Sequence, residues 1–175
     1  GHQAAAEAAE KKAAAIIVSQ EVELPKQSET TLIRVEDTRY ALAFVSAAWF
    51  DHPAKKLTTI GITGTKGKTT TTYLVKSILE NAGRKVGLVG TIEIIIGDTH
   101  IHAVNTTPES YLLQEYFAKM VESGCDTVVM EVSSQALMLH RTQGFVFDFG
   151  IFTNLEPDHI GPNEHGSFEE YAHCK

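Results

Sequence analysis

At 175 residues, 43% of them hydrophobic and 21% charged, the chain has the composition of a folded globular protein with a core to bury, which excludes disordered and collagen-like classes. A formal net charge of -7, without any block of Lys or Arg, excludes nucleic acid or an anionic membrane as a partner through a broad basic surface, so any phosphate site must be local. No apolar run approaches the roughly 18 residues of a membrane span and no charged-then-apolar leader is visible, so the expectation is a cytoplasmic protein without a membrane partner, whose Cys125 and Cys174, lacking metal spacing, stay reduced.

In chain order, residues 3–12 are strong helix formers, and the AAAIIVS run after them reads as a buried strand. A second strand, LIRV, follows a polar segment. DTRYALAFVSAAWF then has apolar residues at helical spacing, with Asp37 or Thr38 as N-cap, and ends before His52 and Pro53. This first section is small for an independent domain. From Leu57 onward strands and helices alternate. The pattern predicts a strand and helix across residues 57–79, a strand at VGLVG, a hairpin in IEIIIGDTHIHAV turning at Gly97 and Asp98, and a helix opening at Pro108 and Glu109. The strand DTVVMEVS, a short helical segment, the strand FDFGIFTNL and a last helix from Ser167 complete it. Such alternation implies an α/β fold with a mainly parallel sheet flanked by helices, and places ligands at the carboxyl ends of the strands.

The most informative stretch is LTTIGITGTKGKTTTTYLVKSIL, an apolar strand that enters a glycine-rich loop and leaves it as a helix. Gly64 and Gly67 let the backbone turn and approach a polyphosphate, while loop amides and the helix N-terminus point at the anion. Lys68 then reaches the β and γ phosphates and Thr69 can ligate Mg²⁺. The loop is shorter than the general P-loop, which has glycine where this chain has Ile62. The plain alternative is an ordinary strand-helix turn, but strand, loop, Lys-Thr and helix stand in register for phosphate binding.

Three further strand ends carry polar groups: NTTPES, MEVSSQAL and FTNLEPDHIGPNEH. Glu131 closes one strand and Asp158 with His159 follows another, so carboxylate and imidazole could converge on a cation held near Thr69. The plain alternative for Glu131 is a cap on the next helix, for His159 a surface hydrogen bond, and for Thr106, Thr107, Ser133 and Ser134 simple capping.

The ordered set GTKGKTTTT, NTTPES, MEVSSQAL with Arg141, FTNLEPDH and EHGSFEEYAHCK resembles the ATP-dependent Mur ligases of peptidoglycan synthesis, and among them the MurE type, which adds the third residue to UDP-N-acetylmuramoyl-L-alanyl-D-glutamate. The resemblance implies the first part of a P-loop central domain over residues 50–175, with the rest of that domain and a C-terminal domain expected to lie outside the chain, preceded over residues 1–49 by the tail of a small α/β uridine-binding domain. It implies that Gly64, Thr65, Lys66, Gly67, Lys68, Thr69 and Thr70 bind ATP, with Lys68 catalytic. It also implies two Mg²⁺ sites, one at Thr69 and one shared by Glu131, His159 and a carbamylated, catalytic Lys175. Asn105, Thr106, Thr107, Ser133 and Arg141 would bind the UDP-muramoyl-dipeptide, Arg141 being suited to a carboxylate or phosphate fork.

The partners implied are thus ATP, the muramoyl dipeptide and a diamino acid, L-lysine or meso-diaminopimelate, joined through an acyl phosphate. Leu139 departs from the glutamine many members have two places before the arginine, and the DHIGPNEH loop resembles the lysine-adding branch. A chain that starts at Gly1 without methionine and stops at Lys175 inside a helical pattern reads as a piece of something longer, with Lys175 expected unmodified and frayed. By itself it is expected to be a nucleotide-binding fragment without ligase activity. The closest enzyme alternative is another ligase of the superfamily, such as folylpolyglutamate synthase.

Overall fold

In the computed structural model, residues 2–158, 160–162 and 165–175 are described, and they divide into two compact units, Gly1–Leu42 and Ala43–Lys175. The first holds the helix α1 (Ala5–Glu10) and two short parallel strands, β1 (Ala15–Val18) and β2 (Thr31–Arg34). The division falls inside α2 (Thr38–Trp49) rather than after it. That helix starts where the Asp37 carboxylate accepts the amides of Arg39 and Tyr40 at 2.6 and 3.0 Å, satisfying two of the donors that a helix N-terminus leaves over.

The second unit begins with β3 (Thr58–Thr63) and α3 (Lys68–Asn81), followed by β4 (Val86–Val89) and the hairpin β5 (Glu93–Ile96) to β6 (Thr99–His102). The chain continues through α4 (Ser110–Glu122), β7 (Thr127–Glu131), α5 (Ser134–Met138), β8 (Phe149–Phe152) and α6 (Phe168–Cys174). The six strands lie in the order β6-β5-β4-β7-β3-β8, with β4, β7, β3 and β8 parallel and the hairpin antiparallel at one edge. The two-residue turn at Gly97 and Asp98 is what allows β5 and β6 to reverse direction, whereas the parallel neighbours need helical crossovers.

Side chains alternate across the sheet, and the alternation assigns each helix its face. Val128 and Met130 of β7 pack with Leu113, Phe117 and Met120 of α4. Val129 faces the other way, against Val75 and Leu79 of α3. Both faces of the central parallel strands β4, β7 and β3 are therefore covered, whereas β8 at the edge stays largely exposed. Parity also sends Glu131, two residues beyond Val129, to the α3 side, at the carboxyl end of the strand. Among the described residues no helix is long and apolar enough to cross a membrane.

Candidate functional site

The loop from β3 to α3 turns through left-handed glycines, with φ of +139° at Gly64 and +83° at Gly67, where an L side chain would be strained. A Cβ on Gly64 would also run into the Thr153 hydroxyl, because the segment after β8 lies tight against the loop. Asn154 secures that contact from both sides of a single residue: its Oδ1 accepts the Lys66 amide at 2.9 Å and its Nδ2 donates to the Lys66 carbonyl at 3.0 Å. The Asn154 carbonyl accepts the Thr65 amide at 2.9 Å, and the Thr65 hydroxyl accepts from the Glu156 amide and from the buried Tyr171 hydroxyl of α6, both at 2.9 Å. Thr65 and Lys66 are thereby spent on holding the loop, and the exposed Lys66 ammonium pairs with Glu156 at 2.9 Å. The first turn of α3, which includes Thr69 and Thr70, has no intrahelical acceptors for its N–H groups and can turn them to a ligand.

Lys68 folds its ammonium over the loop, donating to the carbonyls of Gly64 at 2.9 Å and Thr65 at 3.0 Å. Burial holds its pKa below the ordinary lysine value, against the pull of Glu131 and Asp158. One turn into the site, the Thr69 hydroxyl donates to Glu131 Oε2 at 2.9 Å. Glu131 is fully buried and accepts two more bonds, from the Thr91 amide to Oε1 at 2.9 Å and from the Thr91 hydroxyl to Oε2 at 3.1 Å. It does not cap the following helix. That cap is Ser133, whose hydroxyl accepts from the Ala136 amide at 3.2 Å.

Thr107, also fully buried, ties strand end to helix start: its hydroxyl donates to the Glu131 carbonyl at 2.9 Å and accepts the Ser133 amide at 3.1 Å. Arg141 donates to the Thr107 carbonyl at 3.1 Å and pairs with Glu109 at 2.8 Å. Half-buried Thr106 meets Thr91, oxygen to oxygen, at 3.0 Å. Lys175, expected to fray, is placed against the loop. Its ammonium donates to the Gly64 carbonyl at 2.8 Å and lies 4.9 Å from the centre of the Tyr171 ring. Burial first, and then the charge of Lys68, pull its pKa down from 10.5 to about 8.

A cavity of about 230 Å³ opens beside the loop, bounded by Lys68, Asn105, Thr106, Thr107, Ser133, Arg141 and Lys175. All five residues anticipated for the muramoyl substrate, together with both anticipated catalytic lysines, thus face one space whose formal charges are cationic. Three further residues line it that were not anticipated as substrate ligands: Ser134, which the sequence offered only as a cap, Gln135 and His165. His165 is 1% exposed and comes from the far end of the loop after β8, so only the fold brings it here. The anticipated metal ligand His159 lies outside the described residues. Among the described residues no group of three His, Cys, Asp or Glu side chains gathers as an all-protein metal cage. A magnesium ion, which keeps waters and binds through one or two protein oxygens plus phosphate, asks for no such cage.

Residues 62–175 match the sequence model of the Mur ligase middle domain. The UDP-N-acetylmuramoyl-L-alanyl-D-glutamate--2,6-diaminopimelate ligase of Clostridium perfringens strain 13 is 49% identical over 175 residues, covering all of this chain and 35% of that protein. Its namesake in Caldanaerobacter subterraneus subsp. tengcongensis is 48% identical over 164 residues, 94% of this chain and 34% of the relative. A solved structure titled as the same ligase superposes with a TM-score of 0.79 over 97% of this chain and 33% of its own, at 24% identity, a likeness of fold. The chain therefore spans about a third of the length of the relatives it matches.

Proposed function

The chain belongs to the Mur ligase family through its middle domain, and on that premise we propose that the full-length protein is an ATP-dependent ligase joining 2,6-diaminopimelate to UDP-N-acetylmuramoyl-L-alanyl-D-glutamate. The observation that carries the proposal is the Thr69–Glu131 contact beside Lys68, a residue that lines one cavity with Arg141 and Lys175. The amino acid is chosen from the names of the relatives, which carry diaminopimelate rather than lysine.

In this reading the γ-phosphoryl group of ATP passes to the D-glutamyl carboxylate, giving ADP and an acyl phosphate. The amine of the incoming amino acid attacks the acyl carbon, phosphate leaves with the bonding pair, and the amine sheds a proton to water. Positioning and charge neutralisation supply most of the acceleration in such transfers. Lys68 moves its ammonium from the loop carbonyls to the phosphates, and the first-turn amides of α3 cradle them. Arg141, already oriented by Glu109 and the Thr107 carbonyl, holds an anionic group of the acid substrate, with Asn105, Thr106 and Ser133 beside it.

The Thr69 hydroxyl and Glu131 carboxylate form the hard-oxygen donor set magnesium takes, and a bound cation would supply charge compensation between ATP and the carboxylate. Lys175 as an ammonium repels such a cation. With its pKa drawn down to about 8, a usable fraction of the amine is neutral near neutrality, as attack on CO₂ requires, and the carbamate so formed would be an anionic ligand with Glu131 and His159.

The test is phosphate release by the full-length protein with MgATP and UDP-N-acetylmuramoyl-L-alanyl-D-glutamate, run in parallel with 2,6-diaminopimelate and L-lysine. Release dependent on diaminopimelate is expected; dependence on lysine would overturn the substrate assignment, and none with either would overturn the ligase reading. Lys68→Met, which keeps the aliphatic stem, should lower the rate about 10²- to 10³-fold. A near-normal rate in that variant would remove the loop from the chemistry.

A further inference from the structure

The imidazole of His165 is almost completely enclosed, at 1% exposure, yet only one of its two nitrogens is accounted for. Nε2 lies 2.8 Å from the Ser134 hydroxyl, while Nδ1 has no hydrogen-bond partner among the described residues. The ring cannot easily turn away from this arrangement, because Tyr171 packs against it with centroids 5.3 Å apart and planes at 64°. Tyr171 is itself anchored through its hydroxyl to Thr65 of the phosphate loop. A buried nitrogen left unpaired costs stability, and native structures keep such groups where a ligand or a reacting atom will complete them. His165 borders the cavity that also holds Lys68, Arg141 and Lys175, whose charges select for an anion.

We propose that His165 is a substrate-binding residue, its Nδ1–H donating to an anionic oxygen in this cavity while Ser134 donates to Nε2 and fixes that tautomer. The inference rests on the ligase reading for the identity of the anion, either the carboxylate of the acid substrate or the terminal phosphate of ATP. Both present the same chemistry to the ring, a full negative charge on oxygen, and both belong in this space in that reading.

Two substitutions separate a binding role from a packing role, because the amide nitrogen of asparagine falls near Nδ1 and that of glutamine near Nε2. If Nδ1 binds substrate, His165→Gln in the full-length protein keeps the Ser134 contact but raises one KM on the order of tenfold. His165→Asn should stay within a few fold of the unchanged protein, and thermal melts of both should stay close to it. A rise confined to the muramoyl dipeptide assigns the carboxylate; a rise confined to ATP assigns the phosphate. The reverse pattern, with Gln normal and Asn impaired, would mean that His165 only supports Ser134 and would overturn the proposal.

A full-length protein that releases no phosphate would defeat the ligase reading without touching this one. Calorimetric titration with glutarate and with inorganic phosphate then decides it. Weaker binding in His165→Gln but not in His165→Asn supports the assignment; equal affinity in all three, or no binding to the unchanged protein, overturns it.

Discussion

Lys175 shows how one side chain acquires chemistry from its neighbours. Half-buried and next to Lys68, it holds its proton less tightly than a free lysine, with a pKa of about 8, whereas Lys66 is pushed the other way by its bond to Glu156. Amine acylation follows the neutral form, so acetic anhydride labelling across pH 6–11, read by mass spectrometry, should reach half-maximum at Lys175 near pH 8 and at Lys66 only in the alkaline arm. Coincident curves would show that burial does not perturb Lys175. The same shift acts on folding. Because the folded chain gives up this proton at about pH 8 and the unfolded chain only near 10.5, the unfolded state binds more protons between them, and the contribution of Lys175 to stability rises with pH across that window. Solvent around a half-exposed group keeps the effect small.

The motifs disclosed Lys68, Thr69 and Glu131, since each stands at a strand end or loop position with a chemical signature in its neighbours. They did not disclose Asn154, Tyr171 or His165. In sequence, Tyr171 is one aromatic at helical spacing in SFEEYAHCK and reads as packing, and His165 is one histidine among eight. Their roles are set by contacts to residues 106 and 31 positions away, which local pattern cannot encode.

At the scale of elements, the alternation of strand and helix was readable because apolar periodicity is local, and the hairpin was readable from its two turn residues. The strand order was not. That β8 pairs with β3, and that the hairpin lies at the opposite edge, follow from long-range packing of side chains that look alike in sequence. Two elements now predict opposite phenotypes. Leu113 of α4 is fully buried in the cluster with Phe117 and Met120, so Leu113→Ala should cost about 2–5 kcal/mol in urea unfolding. Asn154 clamps an exposed backbone that water can re-solvate, so Asn154→Ala should leave unfolding nearly unchanged, yet weaken ATP binding by several fold as the Lys66 carbonyl and amide are released. If Asn154→Ala unfolds the chain as severely as Leu113→Ala, the clamp is part of the core rather than of the site.

For the molecule as a whole, the two units differ in what they bury. Among its described residues the first encloses only Ala5, Ala9 and Val18 as buried hydrophobics, and every residue of β2 is exposed. The second encloses both faces of the central strands β7 and β3. Local stability tracks buried apolar contact, so hydrogen exchange should exhaust the amides of β1 and β2 well before those of β3 and β7. Equal protection across all four strands would mean that the units stabilise each other as one cooperative body.

The bracing of the glycine-rich loop carries a consequence for transplantation. GTKGKT looks like a portable cassette, but three of its backbone groups and one hydroxyl are held by residues 153–156 and by Tyr171. A six-residue graft into a foreign strand-helix junction would carry the lettering without the scaffolding, and its glycines would leave it floppy. The transferable module is discontinuous: the loop, the TNLE segment and the tyrosine must travel together, along with the parallel pairing of β3 and β8 that sets them side by side.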